Sequence, residues 1–255
     1  LIMRKLNLIT LLLGAALLLL SCTQPKENNE TTSEVGKDIH IQLYSVRDAI
    51  GVDFSGTIAQ IADAGYKGVE AASYNDGQFY GMSPEDFKSA IEGVGMEVLS
   101  SHTTRPLEAN IEETNWDAVW DWWDVAIDAH KRAGMKYLVA PWMATPETLA
   151  DLKQYCDYYN QIGEKCNAAG LDFGYHNHAF EFEEIEGELM YDYMLENTDP
   201  EKVFFQMDVY WITQGGFTPV EYFNKYPNRF KLLHIKDEKE LGGDDSVMDF
   251  DTLFQ

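Results

Sequence analysis

Four times in this chain a helical pattern closes on a glycine and passes at once into a short apolar run: DAGYKGVE at Gly65, GVGMEVLSSH at Gly95, RAGMKYLVAPW at Gly134 and AAGLDFGYHNH at Gly170. A helix C-terminus favours a residue that tolerates left-handed dihedrals, and each following run has strand length. Helix, glycine, strand is therefore the repeating unit, which restricts the chain to alternating β and α elements. Two more strands, 203–208 and 230–235, follow DPEK and YPNR, where proline punctuates. With 39–44 in front, seven strands are predicted, and helices near 53–64, 84–94, 115–133, 146–169, 188–197 and 219–227. Buried, mostly apolar strands in strict alternation imply a parallel sheet, and this many regular units favour a (β/α)8 TIM barrel over an open doubly wound sheet. The run FDTLFQ (250–255) reads as the opening of a helix, and two residues precede Met3. Both ends thus read as those of a partial frame, with the barrel truncated and its eighth strand expected beyond Gln255. A natural seven-stranded barrel would leave its edge strands open.

The folded domain is expected over 38–255. Residues 1–21 read as a targeting segment: Arg4 and Lys5 precede the apolar run 6–20, too short to span a bilayer comfortably. The run ends in Leu-Leu-Ser-Cys, so Cys22 is the expected lipidation site of a bacterial lipoprotein, with a plain secretory peptide as the alternative. Residues 22–37 then form a polar tether. This predicts a protein anchored outside the cytoplasm, on the periplasmic or outer-membrane side, touching the membrane only through its lipid.

Loss of Arg4 and Lys5 with the signal leaves 17 basic against 43 acidic residues, a net charge near −26. Such a surface repels nucleic acid and anionic lipid. Cys156 and Cys166 lie ten residues apart on one predicted helix, about 15 Å along its axis, and cannot pair with each other.

In such barrels the active site forms at the C-terminal ends of the strands. Those positions hold Tyr44 and Arg47, Glu70, His102, Trp142, the run from His176 through His178 and Phe180 to Glu181, Asp208 and Trp211, then His234, Lys236 and Asp237. Four of the six histidines fall there. His40, at the start of a strand, and His130, inside a helix, are better given structural roles. The tryptophans of NWDAVWDWWDVAI are spaced for outer packing.

The segments IQLYSVRD, DAGYKGVE, SSH, GYHNHAFEF, MDVYW and LHIKD resemble the sugar phosphate isomerase/epimerase group of xylose-isomerase-like barrels, from about Ile39 to Phe250. Metal-dependent members draw ligands from the ends of strands five (Glu), six (Asp), seven (His) and eight (Glu). The resemblance therefore implies Asp208 and His234 as ligands, places His176 where many epimerases have Glu, and puts the strand-eight Glu beyond Gln255. Related apurinic endonucleases often carry a histidine three residues after the strand-six Asp. Trp211 stands there instead, which with the acidic surface argues against DNA repair.

The donor types support a metal site on their own chemistry. Imidazole beside carboxylate favours Mn²⁺, Co²⁺ or Zn²⁺ over Mg²⁺. Sugar oxygens completing the shell would be polarised, and an enediolate would form against a fixed positive charge. Glu181, Glu70 and His178 are the candidate bases, with Glu181 preferred. Lys236 and His102 are expected to contact hydroxyls or an oxyanion, and Asp237 to contact substrate or orient His234 or Lys236. Trp142, Phe180 and Trp211 offer apolar faces to a sugar ring. No phosphate cradle is visible, so a neutral sugar or keto-sugar is expected, processed by isomerisation or epimerisation. A lyase or hydratase acting on an oxidised sugar or glycoside, and a non-catalytic sugar-binding lipoprotein, are the alternatives. A homo-oligomer is compatible with the sequence.

Overall fold

A computed structural model describes residues 38–108 and 111–236. Seven strands, β1 (His40–Gln42), β2 (Gly68–Ala71), β3 (Glu97–His102), β4 (Tyr137–Ala140), β5 (Asp172–His176), β6 (Val203–Asp208) and β7 (Phe230–His234), pair in parallel and in chain order. Helices α1 (Arg47–Val52), α2 (Phe54–Asp63), α3 (Pro84–Glu92), α4 (Trp116–Arg132), α5 (Leu149–Ala169), α6 (Met190–Asn197), α7 (Val209–Gln214) and α8 (Pro219–Lys225) run between them. The four repeat glycines all have the left-handed backbone expected of them, with φ of 97° at Gly65, 83° at Gly95, 78° at Gly134 and 86° at Gly170. Cys22, the tether, Asp237 and 250–255 lie outside the described residues.

One contact shows that the sheet is curled. Glu70 on β2 lies 2.7 Å from His234 on β7. In a flat sheet of this order the two strands would stand five spacings apart, roughly 24 Å. The seven strands therefore form the wall of a β/α barrel, and polar side chains at their C-terminal ends meet inside it.

The outer face is packed by aromatic side chains. Trp123 of α4 is fully buried and donates its indole N–H to the Tyr158 hydroxyl of α5 at 2.5 Å. Its ring meets Phe173 of β5 edge-on, while Tyr159 packs on both Phe173 and Tyr175. Packing, as expected for the tryptophan-rich helix, is thus its use. His130 is structural too: its Nδ1 donates to the Ala126 carbonyl at 2.6 Å, and its Nε2 accepts from the Thr103 hydroxyl at 3.0 Å, joining α4 to the end of β3. Burial pushes its pKa down to about 4, so it stays neutral. His40 pairs with Glu97 at 3.0 Å, and Cys156 and Cys166 are buried free thiols.

The structure adds elements to the sequence expectation. Two short hairpins follow β2 and β5, joining Tyr74–Asn75 to Gln78–Phe79 and Glu184–Ile185 to Glu188–Leu189. Their turns, Asp76-Gly77 and Glu186-Gly187, place both central residues at positive φ, the geometry that matches strand twist. Helices α1 and α7 also begin almost at once after their strands.

Gly163 shows how closely α5 packs. A Cβ there would lie 2.2 Å from the Lys202 carbonyl oxygen, a backbone atom that cannot swing aside. Gly163→Ala is expected to cost roughly 1–3 kcal/mol, read as a lower urea midpoint. An unchanged midpoint would show that α5 can move away from Lys202.

Candidate active site

Period-two alternation puts Gln206 and Asp208 on one face of β6 and Ser100 and His102 on one face of β3. Register shifts lie beside both, between Val69 and Glu70 and between Phe205 and Gln206. Such irregularities re-aim side chains, and here they accompany convergence on Glu70. That carboxylate is buried. Its Oε1 accepts from His234 Nε2 at 2.7 Å and the Gln42 amide at 3.2 Å, and lies 3.1 Å from His102 Nε2. Its Oε2 accepts from the Ser100 hydroxyl at 2.7 Å and the Gln206 amide at 2.8 Å.

These bonds set the charges. Burial works to raise the Glu70 carboxyl, but His102, His234 and the hydrogen bonds from His234 and Ser100 outweigh it and hold it well below the usual carboxylate range. Burial also works against protonated His234, yet Glu70 and Asp208 push that imidazole up. At His102 burial prevails and the pKa falls, so His234 is the imidazolium of the pair. Burial, reinforced by His102 and His234, drives His176 well below its ordinary value.

The rings of His102, His176 and His234 lie 4.7–5.1 Å apart, and each can place a ring nitrogen within 4.8 Å of the others. Asp208 adds a carboxylate: Oδ1 accepts from the Tyr210 and Trp211 backbone N–H groups and caps α7, while Oδ2 lies 3.9 Å from both His176 Nε2 and His234 Nδ1. That spacing is too long for hydrogen bonds. It suits donors each about 2.1 Å from a shared ion, any two of which can lie at most about 4.2 Å apart. His234 would give up its imidazolium proton to offer Nδ1, and the neutral, buried His176 can offer a lone pair. The donor set thus fits a transition-metal ion.

His178 lies beside this group, its ring 5.0 Å from that of His176 and 5.3 Å from that of Trp211, with Phe180 stacked behind it. Its Nδ1 is buried without a hydrogen-bond partner among the described residues, and burial first, then His102, Lys236 and His234, hold the ring near pKa 4. The Lys236 ammonium sits over Tyr210 and Trp211, 4.0 and 4.6 Å from their ring centroids.

A family model for xylose isomerase-like TIM barrels matches residues 58–255. The chain belongs to that family. A solved sugar phosphate isomerase/epimerase from Parabacteroides distasonis is similar at 33% identity and a TM-score of 0.75, over 86% of this chain and 82% of its own. Inosose dehydratase from Lacticaseibacillus casei is 24% identical over 217 residues, 78% of this chain and 68% of its own length. A structure of IolI protein with a bound zinc atom shares the fold at 12% identity and a TM-score of 0.62, over 80% of this chain and 74% of its own.

Within this xylose isomerase-like barrel, the residues singled out in the sequence separate by position. His176, Asp208, His234, His178 and Trp211 come together, with Phe180 behind His178 and Lys236 over Trp211. His102, expected at substrate, stands in the histidine cluster. Glu70, a candidate base, lies at its centre with both oxygens taken. Glu181, the preferred base, is fully buried below the loop, where Oε1 accepts from the Tyr175 hydroxyl at 2.6 Å and Oε2 from the His178 backbone N–H at 2.8 Å. Trp142 is 45% exposed beyond the end of β4, a position open to ligand. Gln42, Ser100 and Gln206 did not stand out in the sequence. The available signal was a polar residue in an apolar strand, two places before a candidate ligand, as in VFFQMD and SSH.

Proposed function

We propose that this barrel moves a proton at the carbon beside the carbonyl of a neutral sugar or keto-sugar, as an isomerase or epimerase dependent on a divalent metal ion. The supporting observation is the Asp208 carboxylate, whose Oδ2 lies 3.9 Å from both His176 Nε2 and His234 Nδ1, beside the His178 ring. These three residues would hold zinc, cobalt or manganese, whose charge would polarise the sugar oxygens. The zinc in the IolI structure supports that metal class.

The side chains divide the remaining work. His178 takes the proton on its imidazole; with a pKa near 4 it is a weak base, competent only toward a strongly acidified C–H. Glu181 is assigned to positioning, because it grips the backbone of His178 from below. Lys236 donates to a hydroxyl or developing oxyanion, and Trp211 and Phe180 present apolar surface to the ring. Acids and imidazoles dominate the centre, which disfavours a phosphorylated substrate. Anchoring through Cys22 outside the cytoplasm, part of the same proposal, supports a neutral substrate as well.

The similarity to inosose dehydratase favours a second reading, in which the same proton removal expels water. Metal-loaded protein incubated with keto-sugars and inososes in D₂O distinguishes them by NMR and mass spectrometry. Deuterium in an isomeric product supports the proposal, and product lacking water supports the lyase. Binding without exchange or product would leave a sugar-binding protein and overturn both.

A further inference from the structure

Resting on the metal site proposed above, we infer that Gln206 is a positioning residue that selects the tautomer of His176, so that its Nε2 lone pair faces Asp208. The Gln206 side chain is 2% exposed and spans three strands. Its Nε2 is 2.8 Å from Glu70 Oε2, and its Oε1 is 2.7 Å from His102 Nε2 and 3.1 Å from His176 Nδ1. Hydrogen-bonding logic leaves one arrangement. Glu70 Oε2 accepts from the Ser100 hydroxyl and Oε1 from His234 Nε2, so the amide NH₂ is the end of Gln206 that points at Glu70. The amide oxygen then faces both imidazoles, and an amide oxygen also only accepts. Nδ1 of His176 must therefore carry its proton, leaving Nε2 unprotonated on the side of Asp208 Oδ2, 3.9 Å away.

A carboxamide suits this position because it has one donating and one accepting end. Glutamate would set a second carboxylate against Glu70, since the two groups meet at hydrogen-bond distance. Methionine would fill much of the space but leave the His176 Nδ1–H without its acceptor, freeing His176 to exchange tautomers. The expectation concerns orientation of a ligand, so it can be read without turnover.

The test is long-range ¹H–¹⁵N NMR of the histidine rings in the metal-free full-length protein, beside Zn²⁺ and Co²⁺ affinity by chelator competition. In the unsubstituted protein His176 is expected as the Nδ1–H tautomer. Gln206→Met and Gln206→Glu are expected to lose that preference and weaken metal binding roughly 10- to 100-fold. An Nε2–H tautomer at His176 in the unsubstituted protein overturns the inference without any variant, and so does undiminished affinity in a folded Gln206→Met. Failure of the unsubstituted protein to bind either ion, with the expected tautomer present, would instead overturn the metal reading and leave the selection of tautomer by Gln206 standing.

Discussion

Asp208→Ala in the full-length protein is expected to bring metal content from about one equivalent to near none, measured by mass spectrometry after loading and desalting. His102→Ala is expected to retain the ion with affinity reduced roughly 10- to 100-fold, the effect of losing a supporting partner. The contrast matters because the three imidazoles, taken by distance alone, would also make a ligand set. Hydrogen-bond direction decides between the two. His102 Nε2 points to Gln206 Oε1 with Glu70 beside it, and His234 Nε2 points into Glu70, whereas His176 Nε2 and His234 Nδ1 face Asp208 Oδ2. Asp208 also caps α7, so alanine there costs about 1 kcal/mol of stability regardless of metal. Asp208→Asn keeps an oxygen for the cap and removes the charge, so metal loss in both variants locates the effect at the ligand. The reverse pattern, metal kept without Asp208 and lost without His102, would move the ion to the histidine triad.

Much of this site was legible because a barrel gathers the C-terminal ends of its strands, whatever their separation in sequence. The glycine repeat defined the strands, and the strand ends supplied His176, Asp208 and His234. Sequence spacing could not show that Glu70 would lie under His234, because that contact depends on curling seven strands through register shifts at Val69/Glu70 and Phe205/Gln206. Nor could charge alone reveal neutral residues such as Gln206, whose importance lies in which end of the amide faces which neighbour. Asp76-Gly77 was a readable turn signal between short runs, but the hairpin is only two residues per strand and too brief for periodicity. The burial of Glu181 was hidden for a different reason. The acidic stretch EFEEIEGE suggests a solvated loop, yet the Tyr175 hydroxyl and the His178 N–H together satisfy one carboxyl in the interior.

That interior carboxyl should be visible in folding stability. Burial pushes Glu181 from an ordinary 4.5 up to about 7, even though hydrogen bonds from Tyr175 and the loop backbone work in the other direction. The folded protein therefore binds this proton more tightly than the unfolded chain does. The resulting stabilisation is complete below about pH 4.5 and is lost as pH rises through 7, a change of about 3 kcal/mol. Glutamine at this position can accept from the His178 N–H and donate to the Tyr175 hydroxyl without ionising. Glu181→Gln is therefore expected to lose less stability than the unsubstituted protein between pH 5 and 8, with the difference approaching about 3 kcal/mol in urea unfolding. Parallel profiles would show that the carboxyl ionises at its ordinary value, hence that water reaches it in solution. A solvated Glu181 would regain its claim as the catalytic base, and His178 would lose the role proposed for it.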